Sequence, residues 1–279
     1  MFYKTRKIIC QCLVYLFLAV ITVLTLLPLY LTILLSLKSN ADMTDFILAF
    51  PEHAMWVNYA NGFTSMIGNL LNSVAVSVIS TLCFIFLSSL CGYVFSRYEF
   101  PLKNTAFMYF IALLVFPGVL SLTPQYILFV NLGLKDNWLA LILPYSVSGL
   151  AGAIFLFRSF FEQQPLELFE AGRLDGANDF VLYFVICLPL AIPVLIVQAL
   201  GTFGGIYNDY LWPTMIIENT GRQLIIPMLN SLTQSTVGSY QEQGVRYALY
   251  LMSGIPLIFT TLGGLKFFID GDFASGMKL

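Results

Sequence analysis

The most polar stretch between two long apolar segments is residues 167–177, which carries acidic side chains at Glu167, Glu170 and Asp175. Glu167 follows Pro165, and proline is tolerated in the first turn of a helix, where an acidic side chain also complements the helix dipole. A short helix is therefore predicted from Pro165. Because this charged segment joins two apolar ones, we interpret it as a surface that docks another protein.

Two glycines in the same stretch support docking. Gly172 and Gly176 are one helical turn apart, so a helix would place both on one face. Without side chains there, another surface can approach the backbone closely. Ala171 and Ala177 belong to the same predicted surface.

The rest of the sequence lacks the side-chain sets that catalysis or metal binding requires. The single histidine, His53, excludes a multi-histidine metal site, and its apolar neighbours argue against a Ser-His-Asp set. The five cysteines form no Cys-x-x-Cys pair and no Cys/His cluster. No G-x-x-x-x-G-K-[ST] phosphate loop is present, so the chain is not expected to bind ATP by itself. We therefore predict no metal, no cofactor and no enzymatic activity.

Composition assigns the class of protein. The 279 residues are 58% hydrophobic and only 10% charged, with a mean hydropathy of +0.84. A soluble domain needs more charge on its surface, and apolar runs of about 20 residues are typical of transmembrane helices. The net charge of −2 is uninformative, but no basic patch indicates a nucleic-acid partner. An all-α protein embedded in a lipid bilayer is predicted.

Six apolar runs predict six membrane helices. Pro28 is expected to kink the first helix, and Pro117 and Pro124 to interrupt the third. The predicted spans are Ile8 to Leu37, Leu70 to Ser96, Thr105 to Val130, Trp138 to Phe161, Val181 to Tyr207 and Tyr247 to Phe268.

The distribution of basic residues predicts the orientation. If both termini are cytoplasmic, nine basic residues are inside and four, Lys38, Lys135, Arg222 and Arg246, are outside. The inner nine are Lys4, Arg6, Lys7, Arg97, Lys103, Arg158, Arg173, Lys266 and Lys278. This bias follows the positive-inside rule and places residues 167–177 in the cytoplasm.

The same stretch carries a family resemblance. Its order is Glu170-Ala171-Gly172, Asp175-Gly176-Ala177, then Ile186, Leu188-Pro189 and Pro193. This order resembles the "EAA" signature of ATP-binding-cassette importer permeases, with Gly172 where the third residue is usually alanine. In that family the loop is a cytoplasmic coupling helix that fits a cleft in the ATPase subunit.

Three further stretches are similar to permeases of the carbohydrate-uptake branch, of the kind of the second maltose permease subunit. Asn72-Ser73 with residues 92–97 resembles "NS…AAYAFAR". Residues 207–213 are similar to "WNDFLWP", with Tyr207 in place of tryptophan. Residues 266–278 resemble "QRYFVKG…GAVKG".

The resemblance implies a type I importer permease fold with six transmembrane helices. It divides the chain into an N-terminal helix and extracytoplasmic loop (1–68), a permease core (69–268) with a coupling loop (162–180), and a cytoplasmic tail (269–279). It implies a second, different permease subunit, two ATPase subunits that hold ATP and Mg, and an extracytoplasmic binding protein. The setting would be a bacterial plasma membrane with both termini cytoplasmic, and the cargo a sugar or oligosaccharide.

Polar side chains inside the predicted spans are candidates for the pathway, because sugars need amide hydrogen bonds and aromatic faces. These candidates are Asn72, Gln125, Tyr126, Tyr145, Gln198 and Tyr207. Hydrogen bonds between helices would explain the same residues. Asn208, Asp209 and Trp212 are candidates for contact with the binding protein, and an interfacial belt is the alternative.

Three alternatives stay open from the sequence. The permease could import a solute that is not a sugar. An ion-coupled carrier would need ionisable residues buried in the membrane and inverted repeats, and neither is evident. A membrane enzyme or scaffold would need clustered catalytic side chains at one face, whereas only residues 167–177 cluster charge.

Overall fold

The computed structural model describes residues 2–45, 47–235 and 243–269, and within these ranges the chain forms helices and no strands. The helices, in chain order, are α1 (Phe2–Ser36), α2 (Asn40–Asp45), α3 (Val57–Arg97), α4 (Lys103–Leu113), α5 (Leu122–Asn131), α6 (Leu139–Val147), α7 (Leu150–Glu162), α8 (Leu166–Leu174), α9 (Asp179–Val181), α10 (Leu188–Leu190), α11 (Ile192–Tyr207), α12 (Leu211–Ile216), α13 (Ile225–Ser235) and α14 (Gln243–Ile269). A 3-10 turn spans Gly118–Ser121, and a π-helical segment spans Leu182–Cys187.

Six spans account for the apolar helices. By length and composition, α1, α3 and α14 are each long and apolar enough to cross a bilayer as single helices. Three bent pairs qualify as one span each: α4 with the turn and α5, α6 with α7, and residues 179–190 with α11. The all-α membrane fold with six spans agrees with the sequence-based prediction.

The bends occur where backbone hydrogen bonding is interrupted. The 90° bend between α4 and the segment that follows contains Pro117, as predicted. Pro124 does not break a helix, because it lies in the first turn of α5, where the missing N–H costs no intrahelical bond. Gly149, with φ of 77°, lies at the 43° bend between α6 and α7.

Two boundaries differ from the prediction. Helix α3 begins at Val57 rather than Leu70, so the end of the expected polar loop is helical. Residues 208–246, which separate the predicted fifth and sixth spans, contain α12, α13 and the start of α14. These stretches carry enough polar side chains to look like loops, but some of their apolar residues, such as Met66, Trp212 and Ile216, are buried by packing.

The chain forms two compact units, unit 1 (1–67 and 229–254) and unit 2 (68–228 and 255–279). In unit 1 the buried Asn58 amide donates to the carbonyls of Ser36 at 2.9 Å and Lys38 at 3.3 Å. The Tyr59 hydroxyl also lies 2.6 Å from the Ser36 hydroxyl. These bonds hold the start of α3 against the end of α1. The predicted division into 1–68, 69–268 and 269–279 stays a prediction, and residues 270–279 of the tail lie outside the described residues.

Unit 2 contains two apolar clusters. One surrounds Phe157 and Phe161 of α7, Phe169 of α8 and Tyr183, and the other contains Trp212 with its neighbours on α5, α6 and α12. Helix α3 joins both, since Ser73 accepts a hydrogen bond from the Ile225 N–H at 2.7 Å and Arg97 contacts α7 and α8. These two positions on α3 are about 36 Å apart at 1.5 Å per residue. Unit 2 therefore has two ends: one at α8, named the docking end after the role that the sequence predicts for it, and a loop end at residues 131–138 and 208–225.

Candidate docking helix and transport cleft

Helix α8 forms where the sequence predicts it. Pro165 precedes its first residue, Glu167 lies in its first turn and Arg173 in its last, which complements the helix dipole at both ends. The helix ends at Leu174. Gly176 follows with φ of 85°, a left-handed conformation that glycine adopts without strain and that commonly terminates helices.

The inner face of α8 packs against its own chain. Phe169 is 3% exposed and belongs to the apolar cluster of α7. A Cβ atom on Gly172 would lie 2.7 Å from Leu182 Cδ2 and 3.0 Å from Ile186 Cδ1. Gly172 therefore allows α8 to approach the π-helical segment.

The expected face of paired glycines is wrong in two respects. Gly176 lies beyond the end of the helix, and Gly172 faces the π-helical segment instead of a partner. Glycine just after a predicted helix is a known termination signal, so the position of Gly176 could have been predicted. The direction of Gly172 depends on how α8 packs, which the sequence does not specify.

The outer face of α8 combines acidic and apolar side chains. Glu167, Glu170, Ala171 and Asp175 are exposed, and Ala177 is half-buried. Sequence reasoning missed the apolar members of this surface: Leu174 is 89% exposed, and Phe180 just beyond is 73% exposed. Large apolar groups exposed among charges are typical of a protein interaction site.

Arg97 at the end of α3 contacts the buried side of α8. Its guanidinium carbon lies 4.0 Å from the centroid of the Phe169 ring, and its NH2 donates to the carbonyls of Phe161 at 2.6 Å and Gln164 at 3.0 Å. The sequence placed Arg97 in a motif but gave no partner for it. The partners are far along the chain, so only the fold brings them together.

Leu188, Pro189 and Pro193 lie at the sharpest change of direction in the fifth span. Residues 179–190 and α11 meet at 79°, with Pro189 in α10 and Pro193 in the first turn of α11. At the break, the Ala191 N–H bonds to the Leu188 carbonyl. The side-chain amide of Gln164 donates to the Cys187 carbonyl at 3.1 Å. The helix break is thereby bonded to Gln164, two residues before α8.

A polar cleft of about 390 Å³ in unit 2 brings together two of the predicted pathway residues, Tyr145 of α6 and Gln198 of α11. Asp209, predicted as a binding-protein contact, also lines it. The Tyr145 hydroxyl donates to Asp209 Oδ2 at 2.7 Å, and Asp209 Oδ1 accepts from the Leu211 N–H at 3.0 Å. Thr202 adds a hydroxyl to the cleft wall. Hydroxyl, amide and carboxylate groups suit a ligand rich in hydroxyls.

The other pathway candidates do not line this cleft. Tyr126 packs against the Trp212 cluster, and Gln125 is its half-buried neighbour on α5. Tyr207 is fully buried with its ring stacked on Phe203 at 5.8 Å. The Asn72 amide donates to the carbonyls of Gly221 at 2.9 Å and Gln223 at 3.2 Å, which is a structural use at the loop end.

The three candidates for binding-protein contact differ in accessibility. Asn208 is exposed, with its amide bonded to the Gly204 carbonyl at 2.8 Å. Trp212 is 3% exposed, and its indole N–H donates to the Ala140 carbonyl at 2.9 Å. Its expected place on a contact surface is therefore wrong, because the large ring fills the core between α6 and α12.

The loop end is cross-linked by polar contacts. Asp136 Oδ1 accepts from the backbone N–H groups of Asn219, at 2.8 Å, and of Glu218, and these bonds hold the pKa of Asp136 below its usual value. The Arg222 guanidinium donates to the Asp136 carbonyl at 2.8 Å. Lys135 pairs with Glu218 at 2.6 Å, and this contact raises the pKa of Lys135. Within the described ranges, three or more His, Cys, Asp or Glu side chains nowhere gather closely enough to hold a metal ion.

Comparison with known proteins gives a consistent result. Residues 84–268 match the family model described as "Binding-protein-dependent transport system inner membrane component". The diacetylchitobiose uptake system permease protein of Streptomyces coelicolor is 29% identical over 85% of this chain and 79% of its own length. The arabinooligosaccharides transport system permease protein of Bacillus subtilis is 27% identical over 94% of both chains. The fold matches a chain of a bacterial ABC transporter that imports alginate, with a TM-score of 0.81, 21% identity, and coverage of 93% of this chain and 96% of that one.

Proposed function

Because this chain belongs to the family of inner membrane components of binding-protein-dependent transport systems, we propose that α8 is the helix through which an ATPase subunit drives it. The chain is a multi-pass permease subunit of an ATP-driven importer. Its family membership therefore argues against the alternative of an ion-coupled carrier. In the proposal it hydrolyses no ATP itself and binds no cofactor. ATP and Mg would be held by two ATPase subunits.

The observation that carries the proposal is the two-sided character of α8. One side is fixed in the core by Phe169, while the other leaves Leu174 almost fully exposed beside Glu170 and Asp175. Burial of a leucine side chain is worth about 1.5–3 kcal/mol, so a cleft that covers Leu174 would gain substantially. The acidic neighbours would then select a basic rim on the partner.

The test is copurification of the ATPase with Leu174→Lys. The side chain makes no buried contact, and a basic residue suits the C-terminal end of a helix, so the permease should fold normally. We expect the ATPase to be lost from the purified complex. Leu132→Lys, the same change at an exposed leucine of the loop end, is the control and should retain it. Retention by both variants would refute the docking role.

The proposal extends to the other partners and to orientation. A binding protein would contact the loop end, where Asn208 is exposed, and a second, different permease subunit would complete the pathway. Both termini and α8 would face the cytoplasm, as the positive-inside pattern predicts. Residues 275–279 would contact the ATPase subunits, as the family resemblance implies.

The proposed cargo is a sugar or oligosaccharide. Two observations support it: relatives similar over most of the chain are named for diacetylchitobiose and arabinooligosaccharides, and the cleft at Tyr145, Gln198 and Asp209 offers groups that bond to hydroxyls. The remaining pathway candidates, Asn72, Gln125, Tyr126 and Tyr207, would support the helices around this cleft.

A further inference from the structure

The junction between α3, α7 and α8 is built on one cation, Arg97. Its side chain reaches the carbonyls of Phe161 and Gln164 at the C-terminal end of α7 and covers the face of Phe169 in α8. Cations are favoured at helix C-termini, where the last carbonyls lack intrahelical partners. A guanidinium can also donate in its plane while it stacks on a ring, which an ammonium cannot do.

Gln164 extends the junction to the helix break in the fifth span. It is 7% exposed, its carbonyl accepts from Arg97, and its side chain donates to the Cys187 carbonyl. Phe169 is in addition the buried residue of α8. Arg97 therefore links α8 to α3, and Gln164 links the connection before α8 to the helix break.

The junction also contains an unpaired donor and an unpaired acceptor. Arg97 Nε and Gln164 Oε1 are both buried and have no hydrogen-bond partner among the described residues. Buried polar groups without partners are unfavourable, so a shift of α3 and α7 that gives either group a partner would be stabilised.

We propose that Arg97 is the positioning residue that makes α8 move together with α3 and α7, so that displacement of the docking helix reaches the transport cleft. This inference rests on the docking role proposed for α8. Without Arg97, α8 would keep its contact with the π-helical segment at Gly172 but would lose the cation that ties Phe169 to α3 and to the last carbonyls of α7. Helix α3 contributes Phe84 to the cleft wall, and α11, which follows the break near Cys187, contributes Gln198.

The experiment uses the full complex with its ATPase, and it needs no knowledge of the transported solute. Thr202→Cys in the cleft wall, in a background with the native cysteines replaced, is labelled with a maleimide with and without Mg-AMP-PNP. With Arg97 present, nucleotide should change the labelling rate by about fivefold or more, the lower end of usual coupling between sites. Arg97→Gln should remove this response while the ATPase still copurifies.

Arg158→Gln is the matched control. Arg158 also covers a phenylalanine ring, that of Phe107 at 3.9 Å, and pairs with Glu162 at 2.7 Å, but it joins α7 to α4 rather than to α8. This variant should keep the nucleotide response. Arg97→Lys keeps the charge without the planar fork and should respond weakly.

Three results would overturn the inference. A full nucleotide response in Arg97→Gln would show that coupling does not use Arg97. Loss of the bound ATPase in the same variant would show that Arg97 only maintains the docking surface. If Arg97→Gln does not fold, Phe169→Leu, which removes only the ring, must weaken the response, and an unchanged response would contradict the proposal.

Failure of the docking proposal is distinguishable, because the Leu174→Lys complex would then keep its ATPase, and the role of Arg97 would be refuted with it.

Discussion

The two ends of unit 2 are stabilised in different ways. At the loop end, side chains bond to backbone groups far along the chain: Asn69 donates to the carbonyls of Thr220 at 2.8 Å and Gln223 at 2.9 Å, and Asp136 accepts from residues 218 and 219. At the docking end, α8 depends on aromatic packing around Phe169 and on one cation. Its own ion pair, Arg173 with Asp179 at 4.0 Å, is exposed and contributes little.

This difference fits the two tasks proposed for these ends. A network of bonds across loops fixes their shape, which suits a surface that must stay complementary to a binding protein. Helix α8 is held by one buried face and one stacked cation. The energy of such ring contacts changes less abruptly with small displacements than that of hydrogen bonds, so these contacts can persist while the helix moves as a rigid body.

The largest effect is expected at the helix crossing behind the docking end. A Cβ on Gly92 of α3 would lie 2.6 Å from the Phe157 Cβ and 3.1 Å from the Arg158 backbone nitrogen. Gly92→Ala must therefore separate α3 from α7, at a cost of about 1–3 kcal/mol. We expect the purified chain in detergent to lose its monodisperse peak at a lower temperature than the unmodified chain.

Gly204→Ala is the control for this change. Gly204 lies within α11, and a Cβ there meets no atom within 4 Å. Alanine in an open helical position stabilises by up to about 1 kcal/mol relative to glycine, so the expected sign is opposite. Equal loss of stability in both variants would mean that α3 and α7 do not cross closely at Gly92.

A smaller effect is expected at the loop end. Asn69→Ala removes two hydrogen bonds from a side chain that is only 8% exposed, and it leaves the carbonyls of Thr220 and Gln223 without this donor. The cost should be about 0.5–1.5 kcal/mol, the net contribution of a typical hydrogen bond, and confined mainly to residues 217–225. Hydrogen exchange measured by mass spectrometry should show faster exchange in this segment and unchanged exchange in α8.

Asn72→Ala, measured in the same way, is the comparison for Asn69→Ala. Asn72 bonds to the same segment, but it is more exposed, so water replaces its bonds more easily. Its effect should be the weaker of the two. Faster exchange in α8 in either variant would contradict the independence of the two ends.

The smallest effect concerns pH at the loop end. The N–H groups of Asn219 and Glu218 favour the charged carboxylate and lower the pKa of Asp136 in the folded chain. A lowered folded pKa stabilises the loop above the ordinary value of 3.8, and this contribution is lost as the pH falls through the folded pKa. The fluorescence of Trp138, whose indole N–H donates to the Arg222 carbonyl, should change in that acid range.

Asp136→Asn provides the comparison for the acid titration. Asparagine tolerates the positive φ of 58° at this position, so the backbone should be kept while the titrating group is removed. When the two proteins are otherwise unmodified, the acid transition in tryptophan fluorescence should be absent from the variant. A transition that persists would assign it to another group.

Much of the fold and part of the site could be predicted from sequence. Apolar runs predicted the membrane spans, and Pro165 with Glu167 predicted the start of α8, because both signals are local and need no neighbour. The family resemblance, made on residues 170–193, is confirmed by the family match over residues 84–268. The coupling role of these residues and the pathway roles of the cleft residues stay predictions.

The errors share a cause. Trp212, assigned to a surface, is in the core, and Gly172, assigned to a partner, faces Leu182. In a membrane protein, a residue type does not distinguish core from contact surface, because apolar and small residues serve both. The sequence analysis did not predict that Leu174 is exposed, because an apolar residue type is equally compatible with the core and with a contact surface.

The sequence by itself determined that this chain is a helical membrane protein with a charged helix between its fourth and fifth spans, because hydropathy and capping signals act within a few residues. Only the tertiary structure decided which face of that helix is exposed, that Arg97 stacks on the ring of Phe169, and that Tyr145 forms a hydrogen bond with Asp209 in a cleft. Those contacts join residues 64 or more positions apart. Their formation depends on how bent helices pack, and no local pattern encodes that.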